Sequence, residues 1–310
     1  MTRVVLLSGG TGGAKLAHGF QQVLPAGALD VIVNVGDDLE LFGLHVSPDL
    51  DSVLYTLAGL VDPVRGWGVA GDTDRALTML ERYGEETWFW IGDADLGTLV
   101  RRTAQLHRGA SLTQVTADMA AALGIPSHIL PPTDDRLRTR VLTDDGDLEF
   151  QRYFVERGQR DEVRGISFEG AAEARPTAAV LEALRNAELV VIGPSNPIVS
   201  IEPTLAIPGL REAVAAASGR KIGVSPIVAG RALKGPTDRM LASLGHEVSA
   251  LGVARLYSGL LDQYVLDEAD AELAPGVAGL GMQPLVAQTV MKTDADRATL
   301  ARFLIDAASG

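Results

Sequence analysis

The sequence predicts an α/β fold, Rossmann-like, with a mostly parallel sheet and an inserted α+β subdomain. Short β-branched runs ending in glycine or small polar residues alternate with Ala- and Leu-rich stretches of helical period, the pattern of a parallel sheet covered by helices. Four runs read as buried strands: Val4 to Leu7, Val31 to Val33, Leu189 to Ile192 and Lys221 to Val224. Each is followed at once by a loop of ligand-type residues, and open parallel sheets bind ligands at the carboxyl ends of their strands. Loops distant in sequence are therefore expected to share one crevice.

Composition narrows the class. The 310 residues are 46% hydrophobic, which suits one or two globular domains and excludes a disordered chain. Cysteine is absent, so disulfide scaffolds, thiol catalysis and thiolate metal sites are excluded. No apolar run approaches the ~20 residues of a membrane helix. The amino terminus breaks into glycine at Gly9 before a signal-peptide core could form, so a cytoplasmic protein is expected. The net charge of −13 argues against a nucleic-acid-coating surface. A polyanionic ligand must then be met by local backbone donors, a few cations or a metal.

The first strand feeds Ser8-Gly9-Gly10-Thr11-Gly12-Gly13. It is not a Walker A loop, because Ala14 and Lys15 stand five and six residues after Gly9 and Leu16 offers no hydroxyl. Nor is it a dinucleotide fingerprint, since Lys15 occupies the third glycine position. What remains is a run of small residues whose N–H groups can approach an anion at a helix start, or a plain strand-to-helix turn.

The second strand leads into Asn34-Val35-Gly36-Asp37-Asp38, and Ser47-Pro48-Asp49-Leu50-Asp51-Ser52 opens a helix expected from Ser52 to Gly59. A cap explains one acidic residue there, but not four carboxylates, Asp37, Asp38, Asp49 and Asp51, within fifteen residues. Clustered hard oxygen ligands beside an anion loop are what Mg²⁺ needs when it bridges protein and substrate phosphates. Trp67, flanked by Gly66 and Gly68, reads as a stacking platform for a planar ring or as edge packing. The later Trp88-Phe89-Trp90 reads as core.

From Leu96 to Leu123 the pattern is helical, Gly124-Ile125-Pro126 breaks it, and Arg140 to Phe154 reads as short strands around Asp144-Asp145-Gly146-Asp147. Residues 93–175 are accordingly expected as the inserted subdomain, between core segments 1–92 and 176–310. Gly193-Pro194-Ser195-Asn196-Pro197 places two prolines around a Ser-Asn pair. Proline fixes such a loop and leaves Asn196 free to read a base edge or a ribose; a helix-entry turn is the alternative. Lys234 is a candidate phosphate partner. In the tail, Val253 to Leu256 reads as strand-like, Asp267 to Glu272 as a solvated acidic helix face, and Asp294 to Ala308 as a final helix. The five histidines show no metal spacing, and no Gly-x-Ser-x-Gly elbow follows a strand.

Taken together, the glycine loop with Lys15, Asn34 to Asp38, Ser47 to Asp51, Gly66-Trp67-Gly68, Gly193 to Pro197, Ser225-Pro226-Ile227-Val228 and Lys234-Gly235-Pro236 closely resemble the 2-phospho-L-lactate transferase family of coenzyme F-420 biosynthesis, including its phosphoenolpyruvate transferase branch. The resemblance implies transfer of a phospho-acid from a guanylyl-linked diphosphate to the ribityl hydroxyl of Fo, 7,8-didemethyl-8-hydroxy-5-deazariboflavin, giving F-420-0 or its dehydro form and GMP. By position it implies Asp37 and Asp49 as catalytic residues and Mg²⁺ ligands. It places Gly10, Thr11, Gly12, Gly13, Lys15, Ser195, Asn196 and Pro197 on the nucleotide, and Asn34, Asp37, Asp51, Trp67 and Asp93 around Fo. It also implies a homodimer acting on small molecules. The segment Gly92-Asp93-Ala94-Asp95-Leu96-Gly97-Thr98-Leu99 departs from the family, where Arg and His are expected in place of Ala94 and Leu99. A related family of UDP-sugar-binding regulators shares the glycine loop and the Ser-Asn-Pro region, which makes a nucleotide-sugar-binding regulator the alternative. The paired acidic motifs favour the transferase.

Overall fold

The structure, a computed structural model, describes residues 2–309. Its centre is the strand β1 (Val4–Ser8), every residue of which is buried. β1 feeds the helix α1 (Gly10–Val23) through the glycine loop and pairs in parallel with β2 (Leu29–Val33). After β2 come the hairpin β3 (Leu39–Leu41) and β4 (Leu44–Val46) and three helices, α2 (Pro48–Leu57), α3 (Arg75–Arg82) and α4 (Asp93–His107). The helix α5 (Leu112–Ala122) leads to β5 (His128–Leu130), and an antiparallel sheet follows from β6 (Arg138–Thr143), β7 (Gly146–Glu149) and β8 (Val163–Glu169). The chain then returns to the core with β9 (Leu189–Ile192) and β10 (Arg220–Val224). A small antiparallel pair, β11 (Ile227–Val228) and β12 (Arg231–Ala232), precedes the last two core strands, β13 (Gln263–Asp267) and β14 (Gln283–Ala287).

Seven of these strands form one parallel sheet in the order β14-β13-β10-β9-β1-β2-β5. Strands buried on both faces read as continuous apolar runs, which is why Val-Val-Leu-Leu and Leu-Val-Val-Ile were legible. From β1 the chain first builds outward through β2 to β5, then crosses back to add β9 on the other side. The boundary between β1 and β9 is therefore the topological switch point, where a crevice opens beyond the strand ends. The glycine loop and the Gly193 to Pro197 loop both leave from it. On one face α1 packs against α2 and the final helix, Asp294–Ser309. That contact is close enough that a Cβ at Gly19 would stand 2.2 Å from the Arg297 carbonyl oxygen.

Several expectations need correction. The stretch 93–175 does not stand wholly apart: α5 leads into β5, an edge strand of the main sheet, and only the β6-β7-β8 sheet is separate from it. The helical pattern from Leu96 to Leu123 is two helices, because the Ser111 hydroxyl caps a new start at Gln114. The helix expected from Ser52 begins four residues earlier, since Pro48 is preset for the first turn. Val253 to Leu256 lies within a helix, Ala250–Leu256, nucleated by the Ser249 cap. The acidic tail is no solvated face throughout. Asp267 and Asp270 are buried, the first accepting Thr289 N–H and O–H bonds and the second the Ala229 N–H.

Candidate active site

The crevice is built around Asn34, which is fully buried at the end of β2. Its amide nitrogen donates to Asp49 Oδ2 at 3.0 Å and to the Val199 carbonyl at 3.2 Å, while its oxygen accepts the Gly36 N–H at 2.8 Å. Asp49, in the first turn of α2, accepts the Gly10 N–H on Oδ1 at 2.7 Å. Both Asp49 oxygens are thus bonded. Asp37 is equally buried, but its Oδ1 has no partner among the described residues. Burial and then the charge of Asp49 push the Asp37 carboxyl well above the usual range, with the Asn34 amide pulling it partly back. Burial raises Asp49 to about 6, against the hydrogen bonds from Asn34 and Gly10. Two buried carboxylates, both raised by burial and one raised further by the other's charge, fit a divalent cation.

A second tier holds this pair in place. Asp38 accepts Ser47 Oγ at 2.8 Å and meets His45 Nε2 at 2.9 Å. Asp51 forms a bidentate ion pair with the Arg102 guanidinium from α4, and both side chains are buried. Four residues on from Asp51, the Tyr55 hydroxyl donates to Asp95 at 2.6 Å. Burial and the charge of Asp51 raise Asp95 to about 6. Asp51, expected beside Fo, is therefore committed to Arg102. Asp93 is likewise committed: it accepts the Ala76 N–H at 2.9 Å and caps α3, while Asp72 accepts the Ala94 and Asp95 N–H groups and caps α4. Leu99, where the resemblance led to an expectation of His, is fully buried with Leu39, Val46 and Ile91.

On the other side of the switch point the glycines serve close packing. A Cβ at Gly12 would stand 2.2 Å from the Pro194 carbonyl oxygen, and one at Gly13 would stand 2.1 Å from Ser8 Oγ. Ser195 Oγ donates to the Gly9 carbonyl at 2.8 Å and accepts the Gly9 N–H at 3.1 Å, so the two loops are clamped together. The Asn196 side chain is committed through its oxygen, while its amide nitrogen meets Met240 Sδ at 3.7 Å. Its oxygen caps the π-helical turn Pro197–Ile201 by accepting the Ile198 and Val199 N–H groups. The cations lie at the rim. Lys15 donates to the Met291 carbonyl at 3.2 Å, and burial, then Arg297 and Lys234, lower its pKa. Lys234 donates to the Arg65 carbonyl at 2.7 Å. Trp67, half exposed, meets Trp90 edge to face at 5.7 Å. Trp88 and Phe89 pack in the small apolar cluster with Leu99, as core.

Two further residues contribute. Thr139, whose buried hydroxyl lies beside Asp37, sits at the start of β6, and its N–H donates to the Gly36 carbonyl at 2.7 Å. Arg102 was visible only as one of two adjacent arginines. Neither carries a local signal, because each reaches the site through the fold.

A parallel sheet with an acidic pair and a glycine loop at its switch point defines a Rossmann-like protein whose crevice lies where such folds bind their ligands. Residues 4–296 match the family model described as 2-phospho-L-lactate transferase CofD, and the chain belongs to that family. It is 41% identical to a phosphoenolpyruvate transferase of Streptomyces griseus, over 99% of this chain and 98% of the relative. It is 36% identical to a 2-phospho-L-lactate transferase of Methanosarcina mazei, over 98% of this chain and 100% of the relative. Among solved structures, a UPF0052-family protein from Bacillus halodurans shares the fold with a TM-score of 0.63 at 15% identity, covering 98% of each chain. No helix among the described residues is long and apolar enough to cross a membrane.

Proposed function

We propose that the protein moves a phospho-acid, phosphoenolpyruvate or 2-phospho-L-lactate, from its guanylyl-linked diphosphate to the primary ribityl hydroxyl of Fo, with release of GMP. The observation that carries this reading is the buried pair Asp37 and Asp49 beside the glycine loop, in a chain of this transferase family. The 41% identity to the Streptomyces enzyme favours phosphoenolpyruvate as the acid. The proposal includes a homodimer, as the resemblance implies.

Asp37 and Asp49 would hold Mg²⁺. No group of three or more metal-ligating side chains is present among the described residues, so substrate oxygens and water would complete the coordination. When bound, the ion supplies neutralisation of charge at phosphorus. Asp37, whose carboxylate is not committed to a backbone N–H as Asp49 is, is the acid left to orient the Fo hydroxyl and accept its proton, and its raised basicity suits that task. Asp49, with both oxygens engaged, keeps that site in register with the nucleotide side. Thr11 and Lys15 face the donor, on a seat that Gly10, Gly12, Gly13, Ser195, Asn196 and Pro197 shape. Asn34, Asp51 and Asp93 act toward Fo through the groups they hold.

Calorimetric titration with Fo, with and without GDP and Mg²⁺, tests the reading. Saturable Fo binding supports it. Tight UDP-sugar binding without any Fo binding would replace it with the regulator.

A further inference from the structure

Arg65 sits in the loop closed by the Val61 and Val69 bridge, and its backbone is pinned from three directions. Asp62 Oδ1 accepts the Val64 and Arg65 N–H groups at 2.8 and 3.0 Å, the Gly66 N–H donates to the Asp62 carbonyl at 2.8 Å, and Lys234 Nζ holds the Arg65 carbonyl. The guanidinium lies over the Trp90 ring, 4.1 Å from its centroid, and 5.5 Å from that of Trp67. Arg152, Arg157, Arg164, Arg211 and Arg255 all rest on carboxylates. The Arg65 guanidinium has no ion-pair or hydrogen-bond partner among the described residues.

The loop also reaches the site. A Cβ at Gly66 would stand 2.8 Å from Lys234 Nζ and 3.9 Å from Thr11 Cγ2, so the Arg65-Gly66 tip lies against the first turn of α1. Aromatic rings contact a guanidinium through its face and leave the N–H edge free, and that edge matches two oxygens of a phosphate or carboxylate. We propose that Arg65, braced by Trp67 and Trp90 and paired with Lys234, binds an oxyanion of the donor at the rim of the glycine loop. The inference rests on the donor reading above and adds the residue that captures the donor's charge. Trp67 then serves to hold this arginine.

Two of the chain's three tryptophans, Trp67 and Trp90, carry the Arg65 guanidinium, so their fluorescence reports on it. The test is titration of the intact wild type, Arg65→Ala and Arg65→Lys with GDP, GMP and phosphoenolpyruvate, read by fluorescence and calorimetry. We expect Arg65→Ala to weaken GDP or phosphoenolpyruvate binding by about tenfold or more. Arg65→Lys should recover only part of the loss, because an ammonium lacks the planar fork. The melting temperature and Fo affinity should stay at wild-type values. A loss for GDP that exceeds the loss for GMP assigns the oxyanion to the terminal phosphate, and a loss for phosphoenolpyruvate assigns it to the acid. Equal affinities of wild type and Arg65→Ala for all three ligands would overturn this inference alone. A wild type that binds none of them would overturn the donor reading and this inference together.

Discussion

Asp49 accepts the Gly10 N–H at 2.7 Å, and through that bond the carboxylate centre and the glycine loop become one unit. The bond joins the first turn of α2 to the first turn of α1 across 39 residues, and Asn34 secures the other Asp49 oxygen. The division of roles between the two acids follows from it: Asp49 is held, and Asp37 keeps a free oxygen.

Asp37→Asn should abolish transfer and stabilise the metal-free protein at neutral pH. Both carboxyls are raised in the fold above their ordinary value of 3.8. Their stability contribution is therefore full below about pH 4 and is lost as pH rises, through about 6 for Asp49, with the raised Asp37 carboxyl acting in the same direction. Melting temperatures in EDTA should fall between pH 4.5 and 7.5 in wild type, less so in Asp37→Asn, which should gain about 1 kcal/mol or more at pH 7.5. A metal-free wild type whose stability rises over that interval would contradict the assignment.

Arg102→Ala should cost about 3–5 kcal/mol, because it strands the Asp51 carboxylate in the interior. Adding Asp51→Asn to that variant should recover much of the loss. Urea unfolding of the two single variants and the double variant measures the coupling, and simple additivity would mean that the pair is not energetically linked.

Gly12→Ala and Gly97→Ala should have opposite signs. The first drives a methyl into the Pro194 carbonyl and should destabilise the crevice by about 1–3 kcal/mol. The second meets nothing within 4 Å on α4 and should gain about 0.5–1 kcal/mol from helix propensity. Thermal unfolding reads both.

Asn196→Ala should lower stability by about 1 kcal/mol through loss of its cap. Guanine-nucleotide affinity should change by no more than about threefold, since the Asn196 oxygen is already occupied. A large affinity loss with unchanged stability would return Asn196 to the base.

The parts that were legible are those encoded locally. β1 and β9 read as continuous apolar runs, β2 and β10 as shorter β-branched stretches, each ending in a glycine or polar loop, and the acidic motifs lie directly after β2 and at the start of α2. What could not be read was commitment. A free Asp and one bonded to a distant arginine look alike in sequence, and Asp51 and Arg102 are 51 residues apart. The same holds for Asp93, Asp267 and Asp270, whose partners are backbone N–H groups and, for Asp93 and Asp267, threonine hydroxyls as well. The strand expected at Val253 to Leu256 failed for a local reason, an overlooked Ser249 cap.

The most direct measurement is transfer itself: purified protein incubated with Fo and the guanylyl-linked phosphoenolpyruvate, with Mg²⁺ or with EDTA, and the products weighed by mass spectrometry. We predict dehydro-F-420-0 and GMP in equal amounts with Mg²⁺, nothing in EDTA, and nothing from Asp37→Asn in either. Full turnover in EDTA, or by Asp37→Asn, would contradict the role given to the buried acidic pair.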